Sequence, residues 1–96
     1  MIPLKLKTFL ETILEKTESN IVRWNVLDDE VFITGEAYSL TVKFDFDEDE
    51  EIPYFKIFYS YGDKDITIIE KNYERDYELI GNIFKSAKAS NLDFPF

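Results

Sequence analysis

Apolar residues recur at helical spacing near both ends of the chain. The first stripe follows the i, i+3, i+4, i+7 spacing of one buried helix face and consists of Leu6, Phe9, Leu10, Ile13, Leu14 and Thr17. It predicts a helix over 3–17. The second stripe predicts a helix that begins at 73–76 and ends near Ser90; its members are Tyr73, Tyr77, Ile80, Ile83, Phe84 and Ala87. Gly81 inside this helix costs about 1 kcal/mol relative to Ala and indicates close packing there.

Between the two helices the apolar period shortens to two residues, which is typical of strands. We predict five strands, over 21–27, 31–34, 38–46, 54–61 and 66–69. The third strand is the clearest, because large apolar residues alternate with polar ones from Tyr38 to Phe46. The fourth is apolar on both faces, so we expect it to be central in the sheet. Gly35 predicts a tight hairpin turn with a positive φ, and Pro53 is expected to keep the fourth strand from starting earlier.

The order of helix, five strands and helix predicts a single domain over 1–96 with an α+β fold. The expected architecture is a mostly antiparallel sheet of about five strands, flanked by an N-terminal and a C-terminal helix. The simplest packing lays both helices on one face of the sheet. The other face then presents Ser39, Thr41, Lys43 and part of the aromatic fourth strand. Trp24 is expected in the core.

The layout also carries a resemblance. The first helix ends in Lys16-Thr17, Ile21 and Trp24 open the strands, one strand ends near Gly62, and the last helix carries Leu79, Phe84 and Ala87. This arrangement resembles a diffuse group of small acidic uncharacterised proteins of bacteria, phages and other mobile elements. The resemblance covers nearly the whole chain, rests on core positions and carries no catalytic motif. It implies an inhibitor, an immunity protein or an antidote.

Composition narrows the classes of function. The 96 residues include 20 acids, 11 bases, no His and no Cys, which gives a net charge of −9. The segment 28–51 holds ten of the acids and one base, Lys43, so the remainder of the chain is neutral. This acidity argues against direct nucleic-acid binding. Without Cys or His, thiolate chemistry and the usual general base are excluded. No apolar run reaches the roughly 20 residues of a membrane helix, and we expect a cytoplasmic protein.

The densest acidic run is the first predicted partner-binding site. Its residues are Asp45, Asp47, Glu48, Asp49, Glu50 and Glu51. Carboxylates crowded on a hairpin can imitate a row of phosphates and attract a basic surface. The alternative is a solvated turn that keeps the protein soluble. The run opens like a Ca²⁺-binding loop, but Glu50 stands where that loop requires Gly and Lys56 where it requires Glu, so no metal or cofactor is expected.

Aromatic residues of the fourth strand form the second predicted partner-binding site, namely Tyr54, Phe58, Tyr59 and Tyr61. Such side chains are typical anchors of protein interfaces, although they equally suit a core and its rim. We therefore expect a non-enzymatic acidic module that occludes a basic surface of a partner protein, including a surface that binds nucleic acid. No catalytic residue is predicted. Two interpretations stay open: a homodimer formed through a strand edge or the aromatic face, and a protein that binds a small nucleotide. The apolar tail Phe94-Pro95-Phe96 is expected to dock on the sheet.

Overall fold

A computed structural model describes residues 2–90 of the chain. Two helices and five strands follow one another as α1 (Leu4–Glu18), β1 (Asn25–Leu27), β2 (Glu30–Thr34), β3 (Tyr38–Asp47), β4 (Ile52–Tyr61), β5 (Lys64–Lys71) and α2 (Tyr77–Ala89). The strands form one antiparallel sheet in the order β1-β2-β3-β4-β5. This confirms the predicted α+β fold. The predicted docking of Phe94-Pro95-Phe96 lies outside the described residues.

Both helices lie on the same face of the sheet. Phe9 of α1 packs its ring 5.2 Å from that of Tyr59, and Tyr77 of α2 packs 5.1 Å from Phe55. Phe55 and Tyr59 are four residues apart on β4 and therefore share one face. The buried core joins this face to both helices; it includes Leu6, Leu10, Ile13, Val31, Ile33, Leu40, Val42, Ile57, Ile80, Ile83 and Ala87. We call the other side of the sheet the open face.

The first strand is shorter than the predicted 21–27. After α1 the backbone turns at Asn20, whose φ is +62°, and the next two N–H groups donate to the Lys16 carbonyl oxygen at the end of the helix. Trp24 is buried as predicted, but its backbone N–H donates to Ser90 Oγ beyond α2 instead of to a strand. These bonds hold residues 21–24 against the helix ends, so pairing in the sheet begins only at Asn25.

The fourth strand lies inside the sheet, as predicted, because it pairs with both β3 and β5, but the prediction that Pro53 delays its start is wrong. The middle of the sheet is β3, and β4 lies next to the edge strand β5. Pro53 belongs to β4, one residue beyond the last pair that β4 forms with β5, Tyr54–Lys71. Its missing N–H therefore removes no bond from that ladder. The edge strand is twice as long as predicted, since β5 has 8 residues against the four of 66–69.

Two glycines differ from their predicted roles. Gly35 does not have a positive φ; the described glycine that does is Gly62, at +63°. A Cβ on Gly35 would instead clash with the Tyr38 ring, so the close approach of that ring requires glycine. At Gly81 the nearest atom to an added Cβ would belong to Phe55, at 3.7 Å. That is ordinary van der Waals contact, so the close packing predicted at Gly81 is not found.

Candidate functional site

Two acidic turns that are far apart in the sequence lie at the same end of the sheet. In the β1–β2 turn, the Asp29 carbonyl oxygen accepts a 2.9 Å hydrogen bond from the Phe44 N–H, which places that turn beside β3. The β3 strand then continues three residues to Asp47, about 10 Å at 3.4 Å per residue, before the β3–β4 turn. The charge count covered both turns, but a binding site was predicted only at the second turn. We call the two together the acidic end: Asp28, Asp29, Glu30, Asp45, Asp47, Glu48, Asp49, Glu50 and Glu51.

Some carboxylates of the acidic end shape the β3–β4 turn. Asp47 Oδ1 accepts hydrogen bonds from the backbone N–H groups of Asp49, at 2.9 Å, and Glu50, at 3.1 Å. Asp45 Oδ1 accepts one from the Phe46 N–H at 2.8 Å. Glu51, with a φ of +57°, completes the turn in the left-handed region. Aspartates that bond to backbone N–H groups two or three residues ahead are typical turn residues, so Asp47 has a structural role in this turn, whereas Asp45 bonds only to the next residue within β3.

The six predicted carboxylates therefore divide into those that bond within the protein and those that are exposed to solvent. Glu50 Oε1 lies 2.8 Å from Lys71 Nζ, and that hydrogen bond raises the pKa of Lys71. Burial, followed by the negative charge and hydrogen bonding of Asp45, raises the pKa of Tyr54. Three of the predicted side chains are left pointing into solvent at the tip of the turn: Glu48, Asp49 and Glu51.

The four predicted aromatic anchors do not form one surface. The strand pairing puts Tyr54 and Phe58 on the open face, whereas Tyr59 and Tyr61 lie on the face that carries the helices. Tyr59 is partly buried against Phe9. On the open face, the Lys56 ammonium lies 5.4 Å from the centroid of the Phe58 ring. That ring is therefore covered by the protein's own cation, which disfavours it as a platform for stacking a nucleotide base.

The middle of the open face is basic. Lys43 of β3 and Lys56 of β4 stand directly opposite each other, flanked by Glu30 on β2 and Ile69 on β5. Like charges at such positions repel each other and any basic surface that approaches. A basic partner would therefore approach the acidic end of the sheet and not the middle of its open face.

Two exposed apolar side chains border the acidic end, and neither was predicted to be exposed. Phe46 is 52% exposed and Leu27 is 60% exposed. The alternation of β3 placed Phe46 in the buried stripe, but the helices cover that stripe only as far as Phe44, whose ring packs on Phe55 and Phe84. A strand of 10 residues is longer than the helix layer above it, and this length is the signal that would have marked Phe46 as exposed.

A groove of about 640 Å³ runs between α2 and the sheet near the acidic end. Its apolar lining comes from the rings of Phe44, Phe55, Tyr77 and Phe84, with Gly81 opposite Phe55. The polar side chains on its rim are Asp29, Glu78, Asn82, Lys85 and Lys88. The groove therefore offers an apolar floor with charged side chains along its rim.

Two buried carboxylates meet near the start of α2, Asp76 just before the helix and Glu70 on β5, and neither was predicted from the sequence. Asp76 Oδ1 lies 3.1 Å from Lys7 Nζ, and Asp76 Oδ2 accepts a 3.2 Å hydrogen bond from the Ile2 N–H. The Asp76 N–H donates to Glu70 Oε1 at 3.1 Å. Burial alone would raise the pKa of Asp76, but the bonds from Ile2 and Lys7 outweigh it and hold the pKa below its ordinary value. Asp76 therefore links the N-terminal segment and α1 to the start of α2, and Glu70 links β5 to the same point.

Residues 2–90 contain no cluster of three or more His, Cys, Asp or Glu side chains that could hold a metal ion. Within the same residues, neither helix is long and apolar enough to cross a membrane. Comparisons with protein-family models, with curated protein sequences and with solved structures find no match to this chain.

Proposed function

We propose that the protein is a non-enzymatic binding module whose acidic end occludes a basic surface of a partner protein. The observation that carries this proposal is the convergence of the two acidic turns at one end of the sheet, with the β3–β4 hairpin extending about 10 Å beyond the other turn. The segment 28–51 carries the whole net charge of −9, so this end holds most of the excess negative charge. A field concentrated in this way attracts a basic surface and orients it as it approaches.

Beyond the β1–β2 turn, β5 still flanks the hairpin as far as the Tyr54–Lys71 pair, so only the last residues of β3 and β4 and their turn project as a narrow wedge. Its tip presents the carboxylates of Glu48, Asp49 and Glu51, and one side presents the exposed Phe46 ring. Such a wedge fits a groove lined by Lys and Arg, of the kind that basic proteins use to bind nucleic acid, with the carboxylates in place of phosphates. Phe46 replaces the predicted aromatic set as the apolar anchor. An inhibitor, immunity or anti-defence role follows from blocking such a groove.

Three exposed carboxylates allow a test that leaves the turn intact. The acidic-end variant carries Glu48→Gln, Asp49→Asn and Glu51→Gln, and retains the carboxylates that bond within the turn. The matched control carries Glu11→Gln, Glu15→Gln and Glu18→Gln on the exposed side of α1. Both variants lose the same formal charge, so a difference between them reports where the charge lies.

Each form is used as bait in a bacterial lysate, with washes at low and at moderate salt. We expect a basic protein to be retained at low salt by the wild type and by the α1 control, and lost by the acidic-end variant. With that partner purified, the acidic-end variant should associate more slowly, with a weaker dependence on ionic strength, and Phe46→Ser should dissociate faster. Equal association rates for the two charge variants would contradict the proposal.

A further inference from the structure

The helix-bearing face of the sheet continues beyond α2 toward the acidic end. The Phe84 ring of α2 packs 6.3 Å from the ring of Phe44 and 5.4 Å from that of Phe55. Two residues further along each strand, the same face carries the directly paired Phe46 and Pro53, and Phe46 is 52% exposed. We call the groove floor and this next pair together the shelf: Phe44, Phe46, Pro53 and Phe55.

The shelf has room for one more helix. The helices α1 and α2 already lie side by side on this face of the sheet. From Phe44, β3 continues three residues to Asp47, about 10 Å, and helices that pack side by side have axes roughly 8–10 Å apart. Along α2 the groove is lined from Tyr77 to Lys88, a rise of about 16 Å or three helical turns. A third helix of three turns therefore fits beside α2.

The floor of the shelf restricts the sequence of such a helix. Its contacts would be with the aromatic rings of β3 and β4 on one side and with α2 on another, where Gly81 has no side chain to obstruct them. The remaining side of the helix would face solvent. A helix in this position therefore has apolar residues at i, i+3, i+4 and i+7 and polar residues elsewhere.

Charges around the shelf restrict the polar residues as well. The outer border, at the tip of the β3–β4 turn, presents the exposed carboxylates of Glu48, Asp49 and Glu51. Two further acids, Asp29 and Glu78, stand in the lining of the groove. Lys and Arg side chains beside the apolar stripe complement these acids.

Two bases also line the groove, Lys85 and Lys88, and both belong to the C-terminal half of α2. The Lys88 ammonium lies 4.9 Å from the centroid of the Phe84 ring, so the protein already engages this charge. The C-terminus of a helix carries the negative end of its macrodipole. The C-terminal end of the third helix therefore suits this end of the groove.

We propose that the shelf binds a basic amphipathic helix of the partner protein. The inference rests on the proposed function, because it names the segment of the basic partner that the acidic end attracts. The bound helix lies beside α2, with its apolar side on Phe44 and Phe46 and its Lys and Arg side chains toward the tip of the β3–β4 turn. It forms one wall of the basic groove that the hairpin enters.

Three designed peptides serve as probes, each of about 18 residues or five helical turns. The first consists of Leu and Lys, with Leu at the spacing of one helix face. The second has Gln in place of every Leu and keeps the charge. The third has the composition of the first in an order without a helical period. We expect the first peptide to bind the full chain at least tenfold more tightly than the other two, measured by fluorescence anisotropy. Binding should raise its helix content in circular dichroism and shift the amide resonances of Gly81 and Asn82.

Two variants of the protein test where the first peptide binds. Phe46→Ser removes the exposed ring of the shelf. The matched control is Tyr61→Ser, because Tyr61 is 58% exposed on the same face at the opposite end of the hairpin. We expect Phe46→Ser to weaken binding roughly tenfold and Tyr61→Ser to bind like the wild type, with circular dichroism verifying that both are folded.

The outcomes separate this inference from the function on which it rests. Equal affinity for the first and third peptides, or equal binding by the two serine variants, overturns the shelf as a helix site. If the Lys and Gln peptide binds as tightly as the first, and the acidic-end variant weakens both, charge alone attracts the partner: the proposed function stands and the shelf is overturned. If the acidic-end variant binds the first peptide as well as the α1 control does, the role of the acidic end is contradicted, while a loss in Phe46→Ser still supports the shelf.

Discussion

Asp76 allows the most direct test of what joins the two helices. The carboxylate is 2% exposed and accepts bonds from the Ile2 N–H and the Lys7 ammonium. The substitution Asp76→Asn keeps the shape of the side chain and removes its charge. The amide NH₂ group of the variant then faces either the Ile2 N–H or the Lys7 ammonium, so two hydrogen-bond donors oppose each other.

The expected cost follows from the burial of the partners. Removing one member of a buried ion pair costs about 3–5 kcal/mol when the remaining charge stays buried. Lys7 is 30% exposed and can recover part of its hydration, and the more distant Arg75 is 64% exposed, so its contribution is screened. We therefore expect Asp76→Asn to lower the free energy of unfolding by about 2–3 kcal/mol. For a domain of this size, that lowers Tm by roughly 10–20 °C.

Urea unfolding at a series of pH values provides the assay. Because the pKa of Asp76 is lowered in the folded protein, its contribution is fully present above the pKa of an unfolded aspartate, about 3.9. It is lost as the pH falls through the lower folded value, so the difference between wild type and variant should shrink below about pH 4. Asp63→Asn, at an exposed turn, should stay within about 0.5 kcal/mol of the wild type. A difference that stays constant in acid would refute the reasoning.

Three further substitutions test single contacts by urea unfolding. Thr17→Val should cost about 1–3 kcal/mol, because Trp24 Nε1 donates to Thr17 Oγ1 at 2.9 Å in the core; Thr17→Ser should cost clearly less, and equal costs would contradict this role of the hydroxyl. Gly81→Ala should stabilise the protein by up to about 1 kcal/mol, because the helix gains a better former and the new methyl meets the Phe55 ring at ordinary contact distance. Gly35→Ala should destabilise it by about 1–2 kcal/mol, because the methyl displaces the Tyr38 ring from its edge contact with Phe9. If the two alanine substitutions changed stability in the same direction, the contrast between the glycines would be wrong.

The fold could be predicted from the local pattern of apolar and polar residues, because apolar residues recur with a clear period in each helix and strand. The alternation in β3 specified which residues enter the core, and the spacing of Leu6, Leu10 and Ile13 specified the buried side of α1. Errors arose where a long-range contact decided the outcome. The start of β1 depends on Ser90, which lies 66 residues away from Trp24.

The candidate site was harder to predict because it depends on the meeting of separate segments. Charge counting identified the segment 28–51, but it takes the pairing of β2 with β3 and the hydrogen bond from the Phe44 N–H to the Asp29 carbonyl oxygen to show that the first turn lies beside β3. The predicted aromatic set failed for a related reason. Tyr54 and Tyr59 differ by an odd number of residues on one strand, so alternation alone already placed them on opposite faces. That prediction grouped the four residues because all of them are aromatic, and it did not take their alternation along the strand into account.

Ionic strength should test the interaction proposed for the acidic end. Binding through the acidic end relies on attraction between unlike surfaces, so added salt should slow association with a basic partner. Because the segment 28–51 carries the whole net charge of −9, the acidic-end variant should lose part of this salt dependence and the α1 control should keep it. A partner that associates equally fast at low and at high salt would contradict the role of the acidic end.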